Sequence, residues 1–260
     1  MTAVLELNNI SKKYGKLQVL SGASIKIKKG EIVCLLGPSG SGKTTLFRIA
    51  AGLINADCGE VYREKDLRQS FVFQHSRLLP WKTVEENIVF VQENFITADK
   101  AQKIRHILLE LNGLGEFKDS YPAQLSGGMK QRLEIIRALS IDPDLLLMDE
   151  PFKSIDTQLK INLREMILRF HENSGLSSLF ITHDPEEAIM MADHIYILSG
   201  QPGRVIKEFQ ISQPPSQRSL QEESLYMMLE EIIELFRELV DEYRWEKGKE
   251  TKKILDGLNS

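Results

Sequence analysis

Residues 32–44 read IVCLLGPSGSGKT, a continuous apolar run followed by a glycine-rich segment that ends in lysine and threonine. Apolar runs of this length are typical of strands that are covered on both faces of a parallel sheet. The following residues, Gly37 through Thr44, match the pattern G-x-x-x-x-G-K-[ST] in full. Thr44 to Ala51 then has helical spacing that ends at Gly52. Strand, glycine-rich loop and helix in this order predict an α/β fold built around a phosphate-binding loop.

The residue types of this loop fit phosphate chemistry. Glycines allow the backbone N–H groups to turn inward around phosphate oxygens, and a helix that begins near Gly42 points its positive end at them. Lys43 can place a mobile charge on the β- and γ-phosphates, and the Thr44 hydroxyl can ligate Mg²⁺. We therefore predict bound ATP and Mg²⁺, with nucleotide contacts from Gly37, Pro38, Ser39, Gly40, Ser41, Gly42, Lys43, Thr44 and Thr45.

A second apolar run, Leu145–Met148, ends in two carboxylates, Asp149 and Glu150. A buried strand that ends in this way delivers both carboxylates to the edge of the sheet where α/β proteins bind ligands. Asp149 is suited to hold magnesium through water, and Glu150 to polarise an attacking water as a general base. A solvated strand end carries the same residues in many proteins, so the assignment depends on the phosphate loop beside it in the sequence.

The rest of the chain alternates strand and helix signals, which predicts a mostly parallel sheet with an antiparallel edge at the N-terminus. Between the two buried strands the spacing is helical, and we predict a helical subdomain over residues 80–139, inserted in a core of residues 1–79 and 140–205. Residues 206–260 form a linker and a C-terminal amphipathic helix in this prediction. The apolar seam of that helix packs on its own domain or pairs with a partner helix; it contains Leu225, Leu229, Ile232, Phe236, Leu239 and Tyr243, broadened by Met228, Ile233 and Val240.

Composition restricts the class of protein. A formal charge of −4 gives no support to nucleic-acid binding, and no apolar run reaches the length of a bilayer span. The N-terminus lacks the layout of a secretory signal. The two cysteines, Cys34 and Cys58, form no framework for disulfides or zinc, and Cys34 is expected to be a buried, reduced thiol. We therefore expect a cytosolic protein.

The stretch Leu125-Ser126-Gly127-Gly128-Met129-Lys130-Gln131-Arg132 closely resembles the LSGGQ signature of ABC ATPases. The resemblance extends over about residues 4–205 and implies a RecA-like P-loop NTPase core. It also implies that Ser126, Gly127 and Gly128 contact the γ-phosphate of ATP held by a second subunit, so that a head-to-tail homodimer completes two sites. A Ser-Gly-Gly turn that opens a helix suits an anion-binding role.

Further elements follow in the order of the family. Gln74 resembles the Q-loop glutamine, which senses Mg²⁺ and water. Asp156 lies where the family has its D-loop, which crosses the dimer interface, and the resemblance implies that it contributes to nucleotide binding. His183 resembles the switch histidine at the γ-phosphate, and Tyr14 matches the aromatic residue that stacks on adenine. The catalytic set implied is Lys43, Gln74, Glu150 and His183, with Thr44, Gln74 and Asp149 as metal ligands. The remaining histidines are interpreted as structural: His75, His106, His171 and His194.

The sequence departs from the family pattern at three positions. Lys153 stands where a small residue is frequent, and Ile155 replaces the usual Ala or Leu of the D-loop. Glu134 replaces the usual Ala of the signature helix. None is a catalytic position, and Lys153 and Ile155 are expected to affect packing between subunits.

The segment Gln74–Asn87 contains Leu79-Pro80-Trp81-Lys82-Thr83-Val84 and resembles importers of the nitrate, sulfonate and taurine type. The resemblance implies that a membrane permease docks here, with Trp81 in an exposed patch; Trp81 as an anchor of the helical subdomain is the alternative. The chain would then lie at the cytoplasmic face of the membrane and would cooperate indirectly with a substrate-binding protein. Three other classes stay open: ABC ATPases of ribosomes or DNA, exporters, and modules that bind ATP without hydrolysis.

Overall fold

The computed structural model describes residues 2–153 and 155–239. Its strands are β1 Ala3–Tyr14, β2 Leu17–Lys28, β3 Ile32–Leu36, β4 Cys58–Arg63, β5 Gln69–Val72, β6 Leu145–Asp149, β7 Ser177–Thr182, β8 His194–Leu198 and β9 Val205–Gln210. Its helices are α1 Lys43–Ala50, α2 Val84–Gln92, α3 Ala98–Leu111, α4 Gly127–Leu139, α5 Thr157–Ser174 and α6 Pro185–Met191, followed by α7 over residues 223–239.

The chain divides into two compact units. The first unit contains the start of the chain to Val4, Ile27–Ile32 and Arg63–Phe180. The second unit contains Leu5–Lys26, Val33–Tyr62 and the chain from Ile181 onward. Each unit holds part of the predicted site.

In the second unit, β3 pairs in parallel with β8, and β8 pairs in an antiparallel manner with β9. All residues of β3 are buried, as its apolar sequence predicts. β1, β2 and β4 form a separate antiparallel sheet in the order β2-β1-β4. The end of β3 leads directly into the phosphate loop and α1, so the parallel strand sets the position of the loop.

In the first unit, β5 pairs in parallel with β6, with Phe71 opposite Leu147 and Val72 opposite Met148. Because parallel strands end at the same edge of a sheet, the residues after Val72 and after Met148 emerge side by side. This register brings Gln74 toward Asp149 and Glu150. It is the main structural reason that these three residues form one cluster.

The helical part of the first unit has an apolar core of its own, made by α2, α3, α4 and the segments between them. α2 begins with a capping box in which the Thr83 side chain accepts from the Glu86 N–H and the Glu86 side chain accepts from the Thr83 N–H. The fully or nearly buried members of this core are Val84, Ile88, Leu108, Leu109, Leu114, Leu125, Leu133 and Ile136.

The predicted α/β class, with a mostly parallel sheet and an antiparallel N-terminal sheet, is confirmed. β3 has the predicted bounds, while β1 and β2 are much longer than their apolar cores at Val4–Leu7 and Ala23–Ile27. Among the described residues, the sequence reading did not find β4, β5, β8, β9 or α6. Cys34 is a buried free thiol as expected, and burial raises the pKa of its thiol well above the ordinary value.

Residues 223–239 are helical, and Leu225, Leu229, Ile232 and Leu239 of the predicted seam are buried. The chain itself therefore covers this face, which favours packing on its own domain. Tyr243 and Val240 lie outside the described residues. The buried Arg218 fixes the approach to α7 by donating to the carbonyls of Ile189 and Ala192, both at 2.7 Å.

Burial lowers the Arg218 pKa to about 10, and Asp193 beside it opposes that shift.

Over residues 2–153 and 155–239, no helix combines the length and apolarity that crossing a bilayer demands.

Candidate active site

The phosphate loop of the second unit has the backbone shape that its glycines predict. Gly40 and Gly42 have φ of +84° and +91°, in the left-handed region that favours glycine. α1 begins at Lys43, and the Lys43 Nζ folds back to donate to the carbonyl oxygens of Gly37 at 2.8 Å and Pro38 at 2.9 Å. The loop is thus closed around the buried lysine, whose charge lies at the centre of the turn.

The space around the loop fits a phosphate group. A Cβ at Gly37 would meet Leu198 O at 3.0 Å and a Cβ at Gly42 would meet Leu20 Cδ2 at 2.8 Å, whereas Gly40 faces open space. The Ser41 hydroxyl is buried and has no hydrogen-bond partner within the described chain. A buried hydroxyl without a partner is costly, and a phosphate oxygen would satisfy it. Glycines on the packed side and open space on the other form a cradle for phosphate oxygens.

Tyr14 ends β1 in the same unit, and 48% of it is exposed. The Lys12 ammonium lies 5.9 Å from the centroid of its ring and 2.6 Å from Asp57 Oδ1. The hydrogen bond from Lys12 lowers the pKa of Asp57. About half of Tyr14 is therefore exposed, which the prediction that it stacks on adenine requires.

His183 follows β7 and is exposed. The next residue, Asp184, caps α6 by accepting from the Glu186 N–H at 3.0 Å, and the Thr182 hydroxyl donates to Glu187 at 2.5 Å. These contacts on both sides of His183 fix the turn that presents its ring.

The carboxylate cluster lies in the first unit. Asp149 ends β6 and is buried, and Glu150 has a φ of +48°, which is rare for a residue with a side chain. The Gln74 Nε2 donates to Glu150 Oε2 at 3.4 Å, and the Lys153 Nζ lies 2.8 Å from the same oxygen. Such backbone strain is concentrated at functional sites. The structure therefore brings together Gln74, Asp149 and Glu150, and adds Lys153.

The signature turn in the first unit opens α4. The Ser126 Oγ accepts from the Met129 N–H at 3.3 Å and so caps the helix. A Cβ at Gly127 would face open space, while one at Gly128 would meet Leu159 Cδ2 at 2.5 Å. Glycine at the first position leaves the helix N-terminus accessible, and glycine at the second allows α5 to pack against it.

Asp156, predicted to bind nucleotide, caps α5 by accepting from the Leu159 N–H at 3.0 Å. Gln131 on α4 donates to the Pro151 carbonyl at 2.8 Å and so joins the signature helix to the turn after Glu150.

Glu134 on α4 is only 1% exposed and accepts a hydrogen bond from the Arg77 N–H. Arg137 donates to the Arg77 carbonyl at 2.8 Å and lies 3.8 Å from Glu134. Burial raises the pKa of Glu134, against the opposing effects of these hydrogen bonds and of Arg137. This departure from the family pattern thus fastens the segment after Gln74 to the signature helix.

Trp81 is 70% exposed, so it does not anchor the helical core. The loop that carries Trp81, residues 79–83, is held by the fully buried side chain of Asn87. The Asn87 Oδ1 accepts from the Leu79 N–H at 2.8 Å. The Asn87 Nδ2 donates to three carbonyls, those of Leu79, Lys82 and Thr83, at 3.2, 3.1 and 2.9 Å. An apolar side chain is therefore presented on a loop with fixed backbone.

Sequence reasoning missed the roles of two residues of this site. Lys153 was noted only as a departure, although a lysine three residues after a carboxylate, with proline between them, is a turn signal that brings the two charges together. Asn87 was named only as the end of the segment that resembles importers, and its sequence position does not indicate that its side chain holds the loop.

A family model described as ABC transporter matches residues 20–153, slightly more than half of the chain. The sulfate/thiosulfate import ATP-binding protein CysA of Yersinia pseudotuberculosis is 42% identical over 210 residues, which cover 75% of this chain and 58% of that protein. The corresponding protein of Cucumis sativus is 42% identical over 215 residues, which cover 77% of this chain and 61% of that protein. This chain spans about three-fifths of the length of these relatives.

Two solved structures are similar over 80% of this chain and 99% of their own, at 29% identity. One is a dimeric bacterial ABC transporter cassette, with a TM-score of 0.71. The other is a dimeric cassette in a post-hydrolysis state bound to ADP and Pi, with a TM-score of 0.70. With a matching family model over half of its length, this chain belongs to the ABC transporter family.

Proposed function

We propose that this chain hydrolyses ATP and that two copies, joined head to tail, drive a separate membrane permease. The observation that carries this proposal is the phosphate loop: two left-handed glycines, a helix N-terminus and the Lys43 ammonium at one point. Lys43 would exchange its carbonyl partners for phosphate oxygens, with Ser41 and the loop N–H groups as further donors.

Each remaining residue has a role toward the same nucleotide in this proposal. Thr44 and Asp149 offer oxygen ligands to Mg²⁺, assisted by Gln74, and the metal neutralises phosphate charge when it is bound. No three His, Cys, Asp or Glu side chains within residues 2–153 and 155–239 are grouped as a protein-only metal site. Proteins usually bind Mg²⁺ through one or two side chains together with phosphate oxygens of the nucleotide.

Glu150 would polarise the attacking water, and His183 would contact the γ-phosphate. Tyr14 would stack on adenine, and Ser126, Gly127 and Gly128 would contact the γ-phosphate held by the second copy. The dimeric similar cassettes support this arrangement. Asp156 accepts a hydrogen bond from the Leu159 N–H and so caps α5. To contact the nucleotide of the partner, its carboxylate would have to keep this hydrogen bond while it binds, or lose it.

The exposed Trp81 on its fixed loop is the proposed docking point for the permease, within Gln74–Asn87. The ammonium of the next residue, Lys82, lies 5.8 Å from the centroid of the Phe90 ring, which is itself half exposed. A preformed loop loses little conformational entropy on binding. This surface would place the chain at the cytoplasmic face of a membrane.

The direction proposed is import of a small anion. Two relatives carry names of sulfate and thiosulfate importers, while the Leu79–Val84 segment resembles importers of nitrate, sulfonates and taurine. The permease and a substrate-binding protein would choose among these anions. Transport of each radiolabelled anion by vesicles that hold the whole complex would identify the cargo.

The proposal is tested by the specific rate of ATP hydrolysis as a function of protein concentration, with Glu150→Gln alongside. A shared-site dimer gives a specific rate that rises with concentration, and the variant reduces it by about two orders of magnitude or more. Tight MgATP binding without hydrolysis at any concentration, with or without the permease, would instead identify a module that only binds nucleotide.

A further inference from the structure

Lys153 is held next to Glu150 by the backbone. The Lys153 N–H donates to the Glu150 carbonyl at 3.2 Å, which closes a turn with Pro151 at its second position, where proline is favoured. Phe152 is buried, and the Pro151 carbonyl accepts from Gln131 on α4 at 2.8 Å. The turn is therefore fastened on both sides, and Lys153 leaves it toward the carboxylate.

Two side chains, one from this turn and one from the segment after β5, meet at one oxygen of Glu150. The Lys153 Nζ is 2.8 Å from Glu150 Oε2, and the Gln74 Nε2 donates to the same atom at 3.4 Å. The side chain of Glu150 is 16% exposed and that of Lys153 is 46% exposed. A short contact between an ammonium and a carboxylate is stronger than one with a neutral amide. Lys153 is thus the dominant of these two partners.

This contact bears on the role of Glu150 as a general base, and the inference therefore rests on the proposed function. A general base must accept a hydrogen bond from the water that it activates. The ammonium on Oε2 offsets the negative charge with which the Glu150 carboxylate would polarise a water, whichever of its two oxygens accepts the hydrogen bond. We propose that Lys153 is a positioning residue that restrains Glu150, and that turnover begins when their ion pair opens.

Lys153→Met tests this proposal, because methionine keeps an unbranched side chain and removes the charge. The expected result is a kcat for ATP hydrolysis raised by about threefold or more with an unchanged KM for ATP. Lys153→Arg keeps the charge and should retain the slow rate. Lys103→Met removes the same charge from an exposed position of α3 and serves as the matched control.

Three results would overturn the restraining role. A lower kcat in Lys153→Met would show that the ammonium assists hydrolysis. An equal increase in Lys103→Met would assign the effect to net charge, and an equal increase in Lys153→Arg would assign it to packing.

A double-mutant cycle on thermal unfolding separates this proposal from the proposed function. Lys153→Met and Glu150→Gln should have non-additive effects on Tm, because both remove the same ion pair. Additive effects would show that the ion pair is absent in solution and would overturn the inference. Non-additive effects, with no hydrolysis by either the unmodified chain or Lys153→Met, would contradict the proposed function and the restraining role with it.

Discussion

Lys43 is the residue on which nucleotide binding depends most directly. Its buried ammonium donates to two carbonyl oxygens and so lies at the centre of the loop. Lys43→Ala is expected to weaken MgATP binding by about tenfold to hundredfold, which corresponds to about 1.4 to 2.8 kcal/mol. Titration of a fluorescent ATP analogue measures this change. Lys103→Ala, on the exposed face of α3, should leave the affinity unaltered, and unchanged affinity in Lys43→Ala would contradict the phosphate-loop assignment.

Glu134 makes stability depend on pH. Burial raises its pKa in the folded chain above the ordinary 4.5, so the folded state holds a proton that the unfolded state has already lost. The stability associated with this carboxyl is present below pH 4.5 and is lost as the pH rises through the raised pKa.

Glu134→Gln removes this titration while an amide oxygen still accepts from the Arg77 N–H. Relative to the unmodified chain, the variant should gain free energy of unfolding as the pH rises from 4 to 8. Urea denaturation at a series of pH values measures the difference. If the free energies of unfolding of the two proteins differed by the same amount at every pH, Glu134 would have an ordinary pKa.

At the scale of elements, the loop of residues 79–83 owes its shape to α2 through one side chain. Asn87→Ala removes the hydrogen-bond partner of two groups, the Leu79 N–H and the Lys82 carbonyl, whereas the Leu79 and Thr83 carbonyls still accept from backbone N–H groups. Each buried group left unsatisfied costs about 1–3 kcal/mol, so a total loss of about 2–4 kcal/mol is expected after relaxation. The midpoint of urea denaturation reports this loss.

Asn94→Ala, at an exposed position, is the matched control and should change stability little. In the same pair of variants, stimulation of ATP hydrolysis by the permease should fall only for Asn87→Ala. Full stimulation by a folded Asn87→Ala chain would contradict docking at this loop.

The elements found from the sequence are those whose signals are local. β3 and β6 are unbroken apolar runs, and α1 begins directly after a glycine-rich loop, so their types and positions were predicted closely. β9 was missed because Val205–Gln210 has few apolar residues and only Phe209 is buried. β1 and β2 continue through polar residues because pairing in a sheet, which depends on residues far apart in the chain, extends them beyond their apolar cores.

The candidate site also contains features that local sequence predicts and contacts that it does not predict. Motifs with fixed spacing identified the phosphate loop, the carboxylates and the signature turn. The link from Glu134 to Arg77 joins residues 57 positions apart, and nothing in the local sequence indicates it. The sequence also did not predict that Asp156 caps α5, because an aspartate is equally suited to a helix N-terminus and to an interface.

At the scale of the whole molecule, the phosphate loop and the signature turn belong to different compact units. In the proposed dimer, each phosphate loop receives the signature turn of the other copy. Glu150→Gln should bind ATP without hydrolysing it and so accumulate the closed dimer. Light scattering after gel filtration with MgATP should then give twice the 29.7 kDa of one chain. With ADP the same variant should elute as a monomer. A monomer under both conditions would argue against nucleotide-dependent dimer formation.

The two carbonyl bonds of Lys43 also determine how fast nucleotide can be captured. They hold the loop in shape before nucleotide arrives, so only the Lys43 side chain has to change hydrogen-bond partners when phosphate enters. Encounter, rather than rearrangement, should therefore limit association, and the observed rate in stopped-flow mixing should increase linearly with ATP concentration and reach no plateau. Because the encounter joins an anion to a positively charged cradle, added salt should slow it. In the proposed cycle of ATP hydrolysis, nucleotide association would then be a fast step.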